Sequence, residues 1–316
     1  MCRAIAARPA LARDLTGIGR TVAIISNGTA VLDLGDVGPR ASVPVLEGKA
    51  ARLRQLTGLR AIPIAIDARE PDRLVAAIQA IAPSFGAILL EHVSAPMCFE
   101  VESRLDAQLR VPVVHDDRAC TAVVTLSALL RISRQLGRPL RRCRVGIVGM
   151  GPAGTGIAQL LLAHGVRELR GVDVDSDALG RLRELGGRPE SLATILAACD
   201  VIVAVTGQPG LIPAAAVRPN QVILSLSSTT PEIEVEVALA AGAAVAADGK
   251  TLDPLLAYPG ILRGALEARA ASISVSMLLA AAQALAELPR DDDELLPDPL
   301  DPRTHAHVAD AVRDAS

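Results

Sequence analysis

The sequence predicts an α/β protein of two domains, the second built on a doubly wound parallel sheet. Three observations carry this expectation. Short apolar runs alternate with amphipathic stretches along most of the chain, the pattern of parallel βαβ units. A Gly-x-Gly-x-x-Gly segment at 149–154 follows one such run and opens a helical stretch. The length, 316 residues, is that of about two domains.

In the first half, strands are expected at 21–26, 30–34, 61–67, 87–91 and 111–115, with amphipathic helices between them at 45–56, 72–81 and 99–109. A longer helical pattern over 121–136 ends at Gly137-Arg138-Pro139, glycine then proline, as a helix stop should. The domain junction is placed along this helix, giving an α/β domain over 1–124 and a second domain over 125–316. In the second half, the runs 144–148, 169–174, 201–205 and 221–226 are almost wholly apolar, as strands buried on both faces are. Helices are expected at 153–164, 177–185, 191–198, 233–241 and 271–288, then an acidic loop at 291–294, a proline-rich stretch at 297–302 and a short C-terminal helix.

The glycine segment has the context that gives it meaning. Gly149 permits the tight turn after the strand, Gly151 lets a pyrophosphate approach the backbone, and Gly154 lets helix and strand pack closely. The helix N-terminus then offers free N–H groups to phosphate. Asp173 stands 24 residues after Gly149 at the end of the next strand, placed to bind a ribose 2′-hydroxyl and to repel a 2′-phosphate. Asp175 is the alternative for that role. The second domain therefore reads as a Rossmann-type fold that binds NAD rather than NADP. Val205-Thr206-Gly207 and Ser225-Leu-Ser-Ser228 follow the next two strands, where ligands lie in such folds. Thr206, Gly207 and Ser228 are thus candidate cofactor contacts, with a plain polar loop as the other reading.

Composition narrows the function. The formal net charge is −3, which speaks against a nucleic-acid binder, and three aromatic residues in all (one Tyr, two Phe, no Trp) speak against stacking platforms. No apolar run approaches the ~20 residues that cross a bilayer. The N-terminal residues, with Arg3, Arg8 and Arg13, lack the apolar core of a signal peptide. Five scattered cysteines without a CxxC pair fit a reducing compartment. A cytoplasmic protein with neither membrane nor nucleic-acid partner is expected.

Of 32 basic residues only Lys49 and Lys250 are lysines. Arginine keeps its proton; a lysine amine can give it up. Lys49 also falls inside the amphipathic helical pattern at 45–56. Charge collects at strand ends as well: Glu91 and His92 close one run, and His115, Asp116 and Asp117 close another. Adjacent acids suit a hard divalent cation, and a lysine among them suits proton transfer. Taken singly, each is also an ordinary cap or surface charge.

Several segments together resemble the small bacterial malic enzymes. They are Ser26-Asn-Gly-Thr-Ala-Val-Leu-Asp-Leu-Gly-Asp36, Pro44-Val-Leu-Glu-Gly-Lys49, Leu90-Glu91-His92, Val114-His115-Asp116-Asp117, the loop Gly149–Gly154, Thr230-Pro-Glu-Ile233, Pro259-Gly-Ile-Leu-Arg-Gly264 and Pro297-Asp-Pro-Leu-Asp-Pro302. The resemblance runs in order along the whole chain. It implies oxidative decarboxylation of malate or a related 2-hydroxy acid with NAD and Mg²⁺ or Mn²⁺, in a homodimer. It implies Lys49 as general base with Asp116 as its ionic partner, Glu91 and Asp117 as metal ligands with His92 beside them, and Gly149, Gly151, Gly154 and Asp173 on the cofactor. The sequence also departs from the family pattern. His92 stands for an aspartate, which would also suit Mn²⁺ or Zn²⁺, and Arg118 stands where the family has glutamine. Ser228 and Pro254 stand where the family has asparagines. The family's Tyr-x-Pro-Gly-Val-Ala segment is expected just before Met1, and Tyr258, the one tyrosine, matches a family phenylalanine. A non-catalytic NAD-binding homologue with a regulatory or assembly role is the alternative reading.

Overall fold

A computed structural model describes the chain except residues 32, 33, 228 and 289–293. Its elements, in chain order, are α1 (Cys2–Ala7), α2 (Ala12–Leu15), β1 (Thr21–Ser26), α3 (Pro39–Thr57), β2 (Arg60–Ala65), α4 (Pro71–Ile81), β3 (Ala87–Leu90), α5 (Met97–Gln108), β4 (Val113–His115), α6 (Thr121–Gln135), β5 (Arg144–Val148), α7 (Pro152–His164), β6 (Glu168–Val172), α8 (Ser176–Leu185), β7 (Arg188–Pro189), α9 (Leu192–Ala198), β8 (Val201–Ala204), β9 (Val222–Ser225), α10 (Val235–Ala240), β10 (Val245–Asp248), α11 (Tyr258–Glu267), α12 (Val275–Glu287) and α13 (Pro302–Asp314).

Two units follow from the contacts: Met1–Asp116 with Tyr258–Met277 and Leu300–Ser316, and Asp117–Ala257 with Leu278–Pro299. The first holds a four-stranded sheet in the order β2-β1-β3-β4, every pair parallel. Its central strands β1 and β3 are buried along their whole length, and Ile25, Ile88 and Leu90 pack with Leu74 and Ile78 of α4 and Val101 and Leu105 of α5. Apolar residues three and four apart on each helix provide that face.

The second unit holds six parallel strands in the order β10-β9-β8-β5-β6-β7. The chain runs outward from β5 to β7, then returns beside β5 and runs outward again through β8, β9 and β10. This is the doubly wound arrangement, and the crevice beyond the carboxyl ends of β5 and β8 is its switch point. Ile202, Ile223, Ile195 and Leu196 form a core on one face of this sheet.

Several expectations are corrected. Of the run 30–34, residues 32 and 33 lie outside the described residues; Ala30, Val31 and Leu34 belong to neither sheet, and Val31 forms only an isolated antiparallel bridge with Gly35. The division does not fall at 124/125 but after Asp116. Ten residues of α6 are buried and α6 packs on α7, so the whole helix belongs to the second unit. The C-terminal region does not stay with the second unit either. α11 and α13 belong to the first, where a Cβ on Gly260 would stand 2.5 Å from Val308 and one on Gly264 2.4 Å from the Ala309 carbonyl oxygen. The short elements α1, α2, β7 and β10 carry too little periodicity to be read. α11 was hidden because Pro259-Gly260 reads as a turn, although proline in a first helical turn gives up no needed N–H. The last long helix begins at Val275, where Ser274 Oγ accepts the Met277 N–H at 3.2 Å. Of the acidic loop, 291–293 lies outside the described residues. Among the described residues, no helix is long and apolar enough to cross a membrane.

Candidate active site

In the first unit the helical period of α3 aligns Leu46, Leu53 and Leu56 on its buried face, and Lys49 occupies the same stripe. The stripe carries this one charge toward the ends of β3 and β4. Lys49 Nζ donates to Glu91 Oε2 and to Asp116 Oδ2, each at 2.5 Å. The Lys49 side chain is 16% exposed, Glu91 2% and Asp116 4%, so all three charges have largely left water. Such a group holds only while complete; removing one member of a buried pair costs about 3–5 kcal/mol.

Glu91 reaches this place because β3 stays in register with β1 to its end, where the Glu91 N–H donates to the Ile25 carbonyl at 2.8 Å. The chain then turns at His92, whose φ of 53° lies in the left-handed region. Non-glycine residues there are uncommon and cluster at functional sites. His92 is buried, with Nε2 3.1 Å from Glu91 Oε1. Asp116 directly follows β4 and begins a wide π-helical turn, Asp116–Cys120. Asp117 is its peptide neighbour and opens the second unit, where Arg118 donates to Gln159 Oε1 at 2.8 Å.

Tyr258 belongs to the same charged group. Its ring centroid lies 5.0 Å from Lys49 Nζ, a cation–π distance. Burial pushes its hydroxyl far above the usual phenol range; the Lys49 charge opposes that, and Asp116 and Glu91 add to it.

In the second unit the glycine loop joins β5 to α7. Gly149 has φ 95°, and a Cβ there would stand 2.6 Å from the Val205 carbonyl oxygen. A Cβ on Gly154 would stand 1.9 Å from the Gly149 carbonyl oxygen. These two glycines are required by the protein itself. Gly151 differs: a Cβ there would meet no atom within 4 Å. No neighbouring atom of the chain requires glycine at this position.

Asp173, just past β6, accepts the Met150 N–H of this loop at 2.5 Å and the Asp175 N–H at 2.9 Å. Asp175 caps α8 by accepting the Asp177 N–H at 2.9 Å, so the two acids have distinct tasks.

Across the switch point the loops after β8 and β9 meet on Glu232. Its Oε1 accepts the Thr206 N–H at 2.6 Å, the Thr206 hydroxyl at 2.9 Å and the Ser227 hydroxyl at 2.6 Å. Its Oε2 accepts the Ser225 hydroxyl at 2.8 Å, and Ser227 Oγ in turn accepts the Gly207 N–H at 2.9 Å. Glu232 is fully buried. Burial pushes its carboxyl up, but the bonds from Ser227, the Thr206 N–H and Ser225 outweigh burial and hold it below the usual carboxylate range.

The structure thus brings Lys49, Glu91, His92 and Asp116 together in the first unit, and Gly149, Gly151, Gly154, Asp173, Thr206 and Gly207 around the carboxyl ends of the second unit's sheet. Ser228 lies outside the described residues. Glu232 was missed as a site residue, since an acid just before a helix reads as a first-turn charge. The signal available was its place between Pro231 and Ile233 in an apolar stretch, three residues from the strand-end serines.

Residues 13–106 match the family described as malic enzyme, N-terminal domain, and residues 126–208 match the NAD binding domain of D-isomer specific 2-hydroxyacid dehydrogenases. NAD-dependent malic enzyme 1 of Bacillus subtilis is 45% identical over 100% of this chain and 72% of its own length. The bifunctional malic/malolactic enzyme of the same organism is 35% identical over 96% of this chain and 80% of its own. Among solved structures, a malic enzyme from Pyrococcus horikoshii matches with a TM-score of 0.93 at 32% identity, covering 99% of this chain and 80% of that one. An NAD-dependent malic enzyme from Thermotoga maritima matches with a TM-score of 0.93 at 31% identity, covering 100% and 89%. The likeness spans both units and every segment that carries charge or glycine at a strand end, and on it the chain belongs to the malic enzyme family.

Proposed function

We propose that this chain oxidises a 2-hydroxy acid of the malate type with NAD and a divalent cation, and decarboxylates it where the substrate carries a 3-carboxylate. The observation that carries this reading is the buried lysine shared by two buried carboxylates. Structural lysines sit at the surface; one held in this way is placed for proton transfer.

The residues fit both absent groups. The open space beside Gly151, next to a helix N-terminus, suits a pyrophosphate, and Asp173 favours NAD over NADP. Glu91 and His92 supply a carboxylate and an imidazole, and the family resemblance adds Asp117, a donor set for Mg²⁺ or Mn²⁺ in which the imidazole tilts preference toward Mn²⁺. When bound, NAD accepts a hydride and the cation polarises the substrate's 2-oxygen.

Lys49 Nζ, as the neutral amine, takes the proton of the 2-hydroxyl as that carbon is oxidised, and the ammonium so formed is the cation that Glu91 and Asp116 hold. Asp116 holds the amine in place. The low exposure of the group keeps water from competing for the proton. Loss of the 3-carboxylate as CO₂ leaves an enolate, and a proton delivered at the third carbon completes the 2-oxo acid. A substrate differing from malate is supported at Pro254, which has neither an amide side chain nor an N–H. The neighbouring Asp253 carboxylate accepts the Leu255 N–H at 2.8 Å.

The test is NADH formation by the purified chain with Mn²⁺, using L-malate beside a panel of 2-hydroxy acids, with Lys49→Ala as control. Turnover that depends on Lys49 supports the reading. Intact NAD binding without turnover on any acid would refute it in favour of the non-catalytic homologue.

A further inference from the structure

Tyr258 is the chain's one tyrosine, and its side chain is among the largest that are fully buried. Among the described residues its hydroxyl has no hydrogen-bond partner, although solvent cannot reach it. Buried hydroxyls are nearly always paired, and an unpaired one costs stability. Packing does not account for it, since phenylalanine fills almost the same space without that cost.

The charges that act on the hydroxyl identify its surroundings: Lys49, Asp116, Glu91 and Arg52. The ring lies beside the lysine that the preceding section assigns to proton transfer. The first unit thus holds, next to its proton-transfer group, a rigid donor with no acceptor of its own. We propose that the Tyr258 hydroxyl is a substrate-binding and specificity-determining group that donates a hydrogen bond to an oxygen of the small carboxylic acid bound at the Lys49 cluster. This rests on the functional reading given above. A phenol hydroxyl offers one O–H donor, and this one has no acceptor among the described residues. The ordering cost is small, because a tyrosine has few rotors and this one is already fixed in the core.

The experiment compares wild type with Tyr258→Phe in two measurements. The first is thermal stability of the protein without ligands. The second is binding of tartronate, a 2-hydroxy diacid, by calorimetry in the presence of Mn²⁺ and NADH, alongside KM for the best acid and for NAD. The inference expects Tyr258→Phe to melt no lower than wild type, since no bond within the protein is lost. It expects tartronate affinity to fall about tenfold to a hundredfold, KM for the acid to rise in parallel and KM for NAD to stay unchanged. Equal tartronate affinity in the two proteins overturns it, whether or not their stabilities differ. The functional reading fails separately, through absence of Lys49-dependent NADH formation in the wild type; the tartronate comparison is read without turnover.

Discussion

Glu91 and Asp116 in the first unit and Glu232 in the second are all carboxylates taken out of water, yet they are held by different kinds of partner. The first two share a lysine. Among the described residues Glu232 has no cation; it is held by three hydroxyls and a backbone N–H. A lysine partner is mobile in charge, because its proton can leave. Hydroxyls and amides fix a carboxylate without offering any proton traffic. On the function proposed above, the comparison separates a group that moves a proton from one that holds two loops still.

The sharpest way to break this contrast is at Lys49. Lys49→Ala is expected to lower turnover by about a hundredfold to ten thousandfold. It is also expected to destabilise the fold by about 3–5 kcal/mol, since two buried carboxylates lose their counter-charge. Lys49→Arg restores a cation but not a labile proton, so it should recover stability in urea unfolding without recovering NADH formation. Recovery of both would reduce Lys49 to a structural charge.

Next in size is the glycine loop. Gly154→Ala forces a methyl against the Gly149 carbonyl and should cost more than about 1–3 kcal/mol as well as NAD binding. Gly151→Ala meets open space and should leave stability within about 0.5 kcal/mol while weakening NAD, as read by fluorescence titration of NADH.

Glu232→Gln keeps shape and removes the charge that four donors address. A loss of about 2 kcal/mol is expected at neutral pH. Because the folded carboxyl lies below its unfolded value of about 4.3, the contribution is complete above that value and disappears as pH falls through the folded one. The gap between wild type and variant in unfolding free energy should thus close on acidification. A gap that is constant from neutral to acid pH would show that Glu232 acts through shape alone.

The smallest effect is expected at Asp175. Asp175→Ala loses a helix cap and about 1 kcal/mol, with the preference for NAD over NADP unchanged. A shift in that preference would move the ribose role from Asp173 to Asp175.

Much of this was legible in the residues. The alternation of apolar runs placed eight of the ten strands found among the described residues, and the Gly149–Gly154 motif located the switch point, because both signals are local. Lys49 stood out by its lysine-poor background and its apolar stripe. The strand ends of Glu91 and Asp116 were visible too, but the 2.5 Å convergence of three charges depends on the order of β1, β3 and β4, which periodicity does not encode. Glu232 was illegible for a similar reason: its donors come from two separate loops. At 30–34 the described residues join neither sheet, because a few apolar residues between glycines satisfy a strand pattern without a neighbouring strand to pair with.

The path of the chain has a consequence for how it is made. The first unit needs Tyr258–Met277 and Leu300–Ser316, which are made after the uninterrupted stretch Asp117–Ala257 that holds the second unit's sheet. Synthesis therefore delivers a complete six-stranded sheet while the sheet of β1 to β4 still waits for α11 and α13, with the face of α3 that they contact uncovered. During that interval the nascent protein exposes apolar surface on its first unit. Chaperone demand should track the time taken to translate residues 258–316, more than the stability of the finished protein.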